Sequence, residues 1–142
     1  MKYYRLLSLL ALFFFTACEH DDAFVNKYDK TLTKTECLSF TPSLLDRELN
    51  DAVKRLYSFS EGCIYRLAAS QKSGIVCNSN QNIQKKVLSN FPSTYLRLDV
   101  YRESQIVYSY YKDLSTKPSQ EDIEKAFLRL KKDIGLIDAK TH

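Results

Sequence analysis

One stretch constrains this chain more than any other. From Thr94 to Arg102 apolar and polar residues alternate strictly, Glu103 and Ser104 interrupt, and Ile106 to Lys112 continues as a β-branched and aromatic run. A period of two puts successive side chains on opposite faces of a strand, so the pattern predicts a β-hairpin over about 94–112 with one buried face. A two-residue turn sets Val100 opposite Val107, Leu98 opposite Ser109 and Leu96 opposite Tyr111, and these form the apolar face. The other face then carries Tyr95, Arg97, Asp99 and Tyr101 on the first strand, with Ile106, Tyr108, Tyr110 and Lys112 on the second. A slip of one residue in the pairing exchanges the two sets on the second strand.

A two-stranded hairpin is not stable alone, so its apolar face needs helices to cover it. Thr41-Pro42 fits an N-cap with proline at the first helical position, and Leu45, Leu49, Ala52, Val53 and Leu56 recur at helical spacing. They predict an amphipathic helix over about 42–60, ending near Gly62. Asn80 caps a shorter helix, about 81–91, with Ile83, Val87 and Phe91 on one side and Pro92 as its stop. The last helix, about 119–134, opens on Ser119 and Asp122 in capping-box spacing and runs through Ile123, Ala126, Phe127, Leu130 and Ile134 to Gly135. Cys63 to Ala69 fits either strand or helix, Gln71 to Gly74 a turn, and Ile75 to Cys77 a short strand. The fold class expected is α+β: a single domain over 41–142, with helices packed on one side of a small antiparallel sheet. Residues 18–40 are polar without a sustained period and are expected to be a flexible tether of roughly 25 Å.

The N-terminus carries a different signal. Lys2 and Arg5 precede an apolar run from Leu6 to Phe15, and Thr16-Ala17 lead into Cys18. The run makes about 15 Å of helix, roughly half a bilayer's hydrocarbon thickness, which suits a removable export signal rather than a permanent span. Phe15-Thr16-Ala17-Cys18 resembles the lipobox of bacterial lipoproteins, with Phe15 in place of the usual leucine. The resemblance covers the first 18 residues. It implies cleavage after Ala17 and a diacylglycerol on Cys18, often with a further acyl chain on the new amino group, which together anchor a protein stably to a membrane surface. Glu19 and His20 occupy the sorting positions of Gram-negative lipoproteins, and the outer membrane facing the periplasm is the expected location.

With Cys18 lipidated, Cys37, Cys63 and Cys77 remain in an oxidising compartment. Cys37 and Cys63 flank the expected long helix, which would hold them roughly 27 Å apart. Cys63–Cys77 encloses a short segment and is the expected bridge, with Cys37–Cys77 the alternative.

The formal charge of +4 falls to +2 without Lys2 and Arg5, a near-neutral balance that argues against a nucleic-acid partner. Both histidines, His20 and His142, lie near chain ends, and the three glycines are scattered at Gly62, Gly74 and Gly135. Histidine triads, histidine metal sites and a glycine-rich phosphate loop are therefore not expected, nor is a cofactor, a metal or a small-molecule substrate. Carboxylate neighbours such as Asp46 and Asp51, or Glu121 and Asp122, suit helix faces and first turns. Lys85-Lys86 and Lys131-Lys132 suit solvated helix flanks. Tyr95, Arg97, Tyr101, Tyr108 and Tyr110 are the candidate partner-binding residues, because tyrosine and arginine bury much area at contact surfaces. Tyrosine is also a good strand former, so a helix covering this face is the competing reading. The expected function is that of a non-catalytic, lipid-anchored envelope protein binding a protein partner as an assembly or accessory factor. In size and expected disulfide it is broadly similar to pilotin-type lipoproteins of secretion systems. The alternative is an inhibitor or immunity lipoprotein against a periplasmic hydrolase or toxin.

Overall fold

The computed structural model describes residues 22–73 and 94–137. The strands are β1 (Phe24–Lys27), β2 (Ser39–Thr41), β3 (Tyr65–Lys72), β4 (Thr94–Arg102) and β5 (Gln105–Leu114); the helices are α1 (Arg47–Lys54) and α2 (Gln120–Asp133). They form one five-stranded sheet in the order β1-β5-β4-β3-β2, with α1 packed on β3, α2 on β4 and the two helices touching. The fold is α+β, and the sheet is mixed rather than antiparallel: β2 pairs with β3 in parallel, while the other pairings are antiparallel. Parallel neighbours need a crossover, and α1 lies in it. Cys63 to Ala69 resolves as strand from Tyr65 onward, and Gln71 and Lys72 continue β3 where a turn is expected. The helix expected at 81–91 and the strand at 75–77 lie outside the described residues.

Residues 22–40 are part of this body, not a tether. Val25 to Lys27 align with Tyr110 to Tyr108 of β5, Leu32 and Leu38 are buried in the core, and Thr35 is buried with its hydroxyl donating to the carbonyl of Ile134 at 3.1 Å. Polar residues with spaced apolar ones suffice for an edge strand, which needs only one apolar contact per turn of the pleat and takes its order from backbone pairing.

The first helix is shorter than its spacing suggests. Thr41 ends β2 opposite Ala68, Pro42 offers no N–H to carry the ladder onward, and the N-cap role passes to Asp46, whose carboxylate accepts from the Leu49 amide at 3.0 Å. Asn50 turns inward to hold the preceding loop. Its side chain accepts from the Ser43 amide at 2.8 Å and donates to the Ser43 carbonyl at 2.7 Å. Leu45 therefore falls outside the helix and faces solvent, while Leu49, Ala52 and Val53 are buried. The last helix matches its sequence signals closely. Ser119 and Asp122 form a reciprocal capping box, Glu121 and Asp122 sit at the positive end of the helix dipole, and Lys131 and Lys132 sit at the negative end. Gly135 adopts φ +60°, and a Cβ there would lie 1.9 Å from the Thr33 carbonyl oxygen, so the glycine is required by conformation and by space.

The hairpin register decides which side chains are core. Beside the turn, Arg102 pairs with Gln105 and Tyr101 with Ile106, as the two-residue turn demands. Between Val100 and Tyr101 the register shifts by one: Val107 is an extra residue on β5, and Val100 faces Tyr108, Leu98 faces Tyr110, and Leu96 faces Lys112. This β-bulge moves Tyr108 and Tyr110 to the helix-covered face, where both are essentially inaccessible alongside Leu67, Leu96, Leu98 and Val100. Val107 does not go unpaired, because its carbonyl accepts from the amides of Tyr28 and Asp29 at 3.0 and 3.2 Å. The Tyr108 hydroxyl donates to Asp133 at 3.0 Å, and Arg129 donates to the same carboxylate oxygen at 2.9 Å, tying β5 to the end of α2. Burial and then the neighbouring Asp133 carboxylate push the Tyr108 hydroxyl well above its ordinary pKa, so it stays a donor.

The bridge joins Cys37 to Cys63, with Cα atoms 5.8 Å apart; it is neither Cys63–Cys77 nor Cys37–Cys77, and Cys77 lies outside the described residues. The reason is topological. Because β2 and β3 run in parallel with Ser39 beside Arg66, the residues that lead into each strand lie side by side, and the helix between them is short enough for the chain to return.

Candidate functional site

The face of the sheet opposite the core is built by alternation and pairing. On β4 it takes Tyr95, Arg97, Asp99 and Tyr101; on β5, Ser109, Tyr111 and Asp113; on β3, Arg66, Ala68 and Ser70; and on β1, Phe24 and Asn26. Across the strands these align in rows. Phe24, Tyr111, Arg97 and Ser70 make one, and Asn26, Ser109, Asp99 and Ala68 make the next, a row of short side chains flanked by taller ones.

At its centre lies a polar knot. The Arg97 Nε donates to Asp99 Oδ1 at 2.9 Å and lies 2.8 Å from Oδ2, and the Ser109 hydroxyl donates to Oδ1 at 2.6 Å. Asp99 is buried beneath these partners, whereas the Arg97 side chain remains 40% exposed. The bond to Asp99 holds the Arg97 guanidinium above its already high pKa; burial opposes this and the Asp99 charge adds to it, so the group is a fixed cation.

Aromatic rings surround the knot. Tyr95 and Tyr111 stack with centroids 5.4 Å apart and an interplanar angle of 29°, and the Tyr111 hydroxyl donates to Asp113 at 2.6 Å. The Arg66 guanidinium lies 5.5 Å from the Tyr101 ring centroid, within cation–π range. Phe24 is 67% exposed at the β1 edge. Tyrosines held by stacking and by hydroxyl bonds lose little entropy on being covered, and an arginine already clamped at Nε likewise has less freedom to lose. Such a face offers aromatic area and fixed positive charge to whatever covers it. Among the described residues no group of three or more His, Cys, Asp or Glu side chains is placed to hold a metal ion.

Of the five candidate partner-binding residues, Tyr95, Arg97 and Tyr101 share this face, and Tyr108 and Tyr110 lie in the core instead. The residues missed are Tyr111, Arg66, Ser109 and Phe24, whereas Asp99 lies on the face where its strand pattern puts it. One signal points to the first of them. In the unshifted register Ser109, a small polar residue, sits against Leu98 on the apolar face; shifting by one removes that mismatch, gives Ser109 the Asp99 carboxylate and brings Tyr111 to the open side. Cys18 lies outside the described residues, as do both histidines. Comparison with family models, with curated proteins and with solved structures finds no match.

Proposed function

We propose that this chain is a lipid-anchored, non-catalytic bacterial envelope lipoprotein that binds a protein partner through the tyrosine and arginine face, as an assembly or accessory factor. The observation that carries the binding half is the concentration of Tyr95, Arg97, Tyr101, Tyr111 and Arg66 around one clamped Arg–Asp pair on the side of the sheet away from the helices. Solvent-facing strands usually carry charged and threonine-like residues, and aromatic side chains there cost solubility unless something covers them. The anchoring half rests on the resemblance of Phe15-Thr16-Ala17-Cys18 to a lipobox. Among the described residues no helix is long and apolar enough to cross a membrane. A lipid anchor confines a small binding domain to the membrane surface and so raises its effective concentration for a partner held there.

The test pairs capture with variants. The chain bearing an affinity tag is cross-linked in its native cells and its partner identified by mass spectrometry; purified partner is then titrated against wild type, Tyr101→Ser, Tyr111→Ser and Arg97→Ala. The reading expects each variant to fold and each to weaken binding by tenfold or more, on the order of 1.4 kcal/mol or above. Undiminished binding by all three variants refutes it. A partner that proves to be a hydrolase or toxin silenced by the complex redirects the reading to an inhibitor.

A further inference from the structure

Leu44 and Leu45 are adjacent and 98% and 97% exposed. Isolated apolar residues are ordinary on a protein surface, but a fully exposed leucine pair at a loop tip is a surface that an apolar medium would cover. Topology fixes where that tip lies. The pair sits between β2 and α1; β2 runs with β3, so the loop emerges at the sheet end where β3 finishes, β4 begins at Thr94 and β5 finishes at Leu114. The Gln71 amide bonds Asp46 there, and Leu44, Leu45 and Arg47 share one shallow hollow with Asp46 and with Glu48, which pairs with Lys117. At the opposite edge β1 runs antiparallel to β5 with Phe24 facing Tyr111, so the chain enters the sheet at this same end. Cys18 precedes Phe24 by six residues, a reach of at most about 21 Å.

We propose that this end of the sheet docks on the bilayer that holds the acylated Cys18, with Leu44 and Leu45 entering the headgroup boundary. The inference rests on the reading of Cys18 as the lipid anchor. Its occupant is chosen by the chain itself. An anchor within about 21 Å of Phe24 keeps that sheet end at the membrane, and four strand spacings of about 4.8 Å put β2, from whose end the leucine loop leaves, about 19 Å away across the same end. The strands then stand upright on the membrane and the tyrosine face turns sideways, clear of lipid and open to a neighbour in the envelope.

The chain contains no tryptophan, so Leu45→Trp creates a single emitter at the proposed contact, and Ser104→Trp places one at the hairpin turn on the far end. Both positions are exposed, and circular dichroism checks that each variant folds. The acylated full chain is reconstituted into vesicles of phosphatidylethanolamine and phosphatidylglycerol, with and without brominated acyl chains. The Leu45→Trp emission is expected to shift to the blue on reconstitution and to lose most of its intensity in brominated lipid, while the Ser104→Trp emission does neither. Flotation with the vesicles but no quenching of the Leu45→Trp emitter, or equal quenching of both emitters, overturns the docking alone. A Leu45→Trp emission already blue-shifted in detergent-free, lipid-free protein shows cover by a second copy or by another part of this chain, and also overturns it. Failure to float removes the anchor, and the docking with it.

Discussion

Replacing Tyr108 by serine tests the register of the β4–β5 hairpin, on which the division of the sheet into a core face and the proposed binding face depends. Tyr108 is fully buried against the helices, opposite Val100, and its hydroxyl donates to Asp133. Truncating a buried aromatic ring costs about 3–5 kcal/mol through lost transfer energy and the cavity left behind. The loss of a hydrogen bond to a charged acceptor places Tyr108→Ser toward the upper end of that range, although Arg129 still serves Asp133. Tyr110→Ser, opposite Leu98, belongs in the same range. Tyr101→Ser removes a half-buried ring and an Arg66 contact worth roughly 0.5–1 kcal/mol, so it costs about 1 kcal/mol. At about 4 °C per kcal/mol for a domain of this size, the first two variants lose roughly 12–20 °C in Tm and the third about 4 °C. Thermal unfolding followed by circular dichroism, with urea titration for the free energies, reads the difference directly. A Tyr108→Ser variant within 1 kcal/mol of wild type, or a Tyr101→Ser variant as damaged as Tyr108→Ser, refutes the bulged register.

Further expectations follow from other contacts. Replacing Cys37 and Cys63 together by serine releases a loop with a sequence separation of 26 and lowers stability by about 3.5 kcal/mol on the chain-entropy relation, while non-reducing peptide mapping of wild type recovers a Cys37–Cys63 cross-linked pair. Gly135→Ala meets both a positive φ and a backbone oxygen 1.9 Å away, so it destabilises by more than the roughly 1–2 kcal/mol that the backbone conformation alone costs; a loss below 1 kcal/mol counts against the Gly135 contact with Thr33. Alkali probes Tyr108. Its pKa is raised in the folded state, so its contribution is fully present below the ordinary value of 10.0 and declines as the unfolded chain ionises at higher pH; Tyr108→Phe should flatten that decline in urea titrations between about pH 9 and 11. Acid probes Asp122. Burial opposes its ionisation, but the two bonds from Ser119 outweigh it and hold the carboxyl below its ordinary 3.8, so the cap's contribution is present above that value and is lost as pH falls below it through the lowered folded-state pKa; Asp122→Ala costs about 1 kcal/mol at neutral pH.

The elements legible in the sequence are those whose signals are local. Ser119, Asp122 and Gly135 mark the start and stop of α2 because caps act within one helical turn, and the alternation over Thr94–Arg102 marks β4 because neighbouring positions alone decide it. What escaped is decided by pairing between distant segments. Val107 makes a bulge because its carbonyl serves Tyr28 and Asp29, nearly eighty positions away in the chain, and no window around the hairpin contains that partner. Residues 22–40 lack a helical or strand period, yet β5 recruits Phe24–Lys27 as an edge strand and the core takes Leu32 and Leu38 singly. The disulfide failed for the same reason: distance along one helix axis says nothing about two strand starts that a parallel crossover brings together. Of the candidate face, Tyr95, Arg97 and Tyr101 are legible from β4 alone, and Tyr111, Ser109 and Arg66 require the neighbouring strands in place.

The most direct measurement of the central claim is the intact mass and N-terminal sequence of the mature chain extracted from the membranes of its native cells. The account requires a polypeptide that begins at Cys18 and carries diacylglycerol on that thiol, releasing fatty acids on alkaline hydrolysis. A mature chain that starts at any other residue, or that starts at Cys18 with an unmodified thiol and partitions with the aqueous fraction, contradicts it.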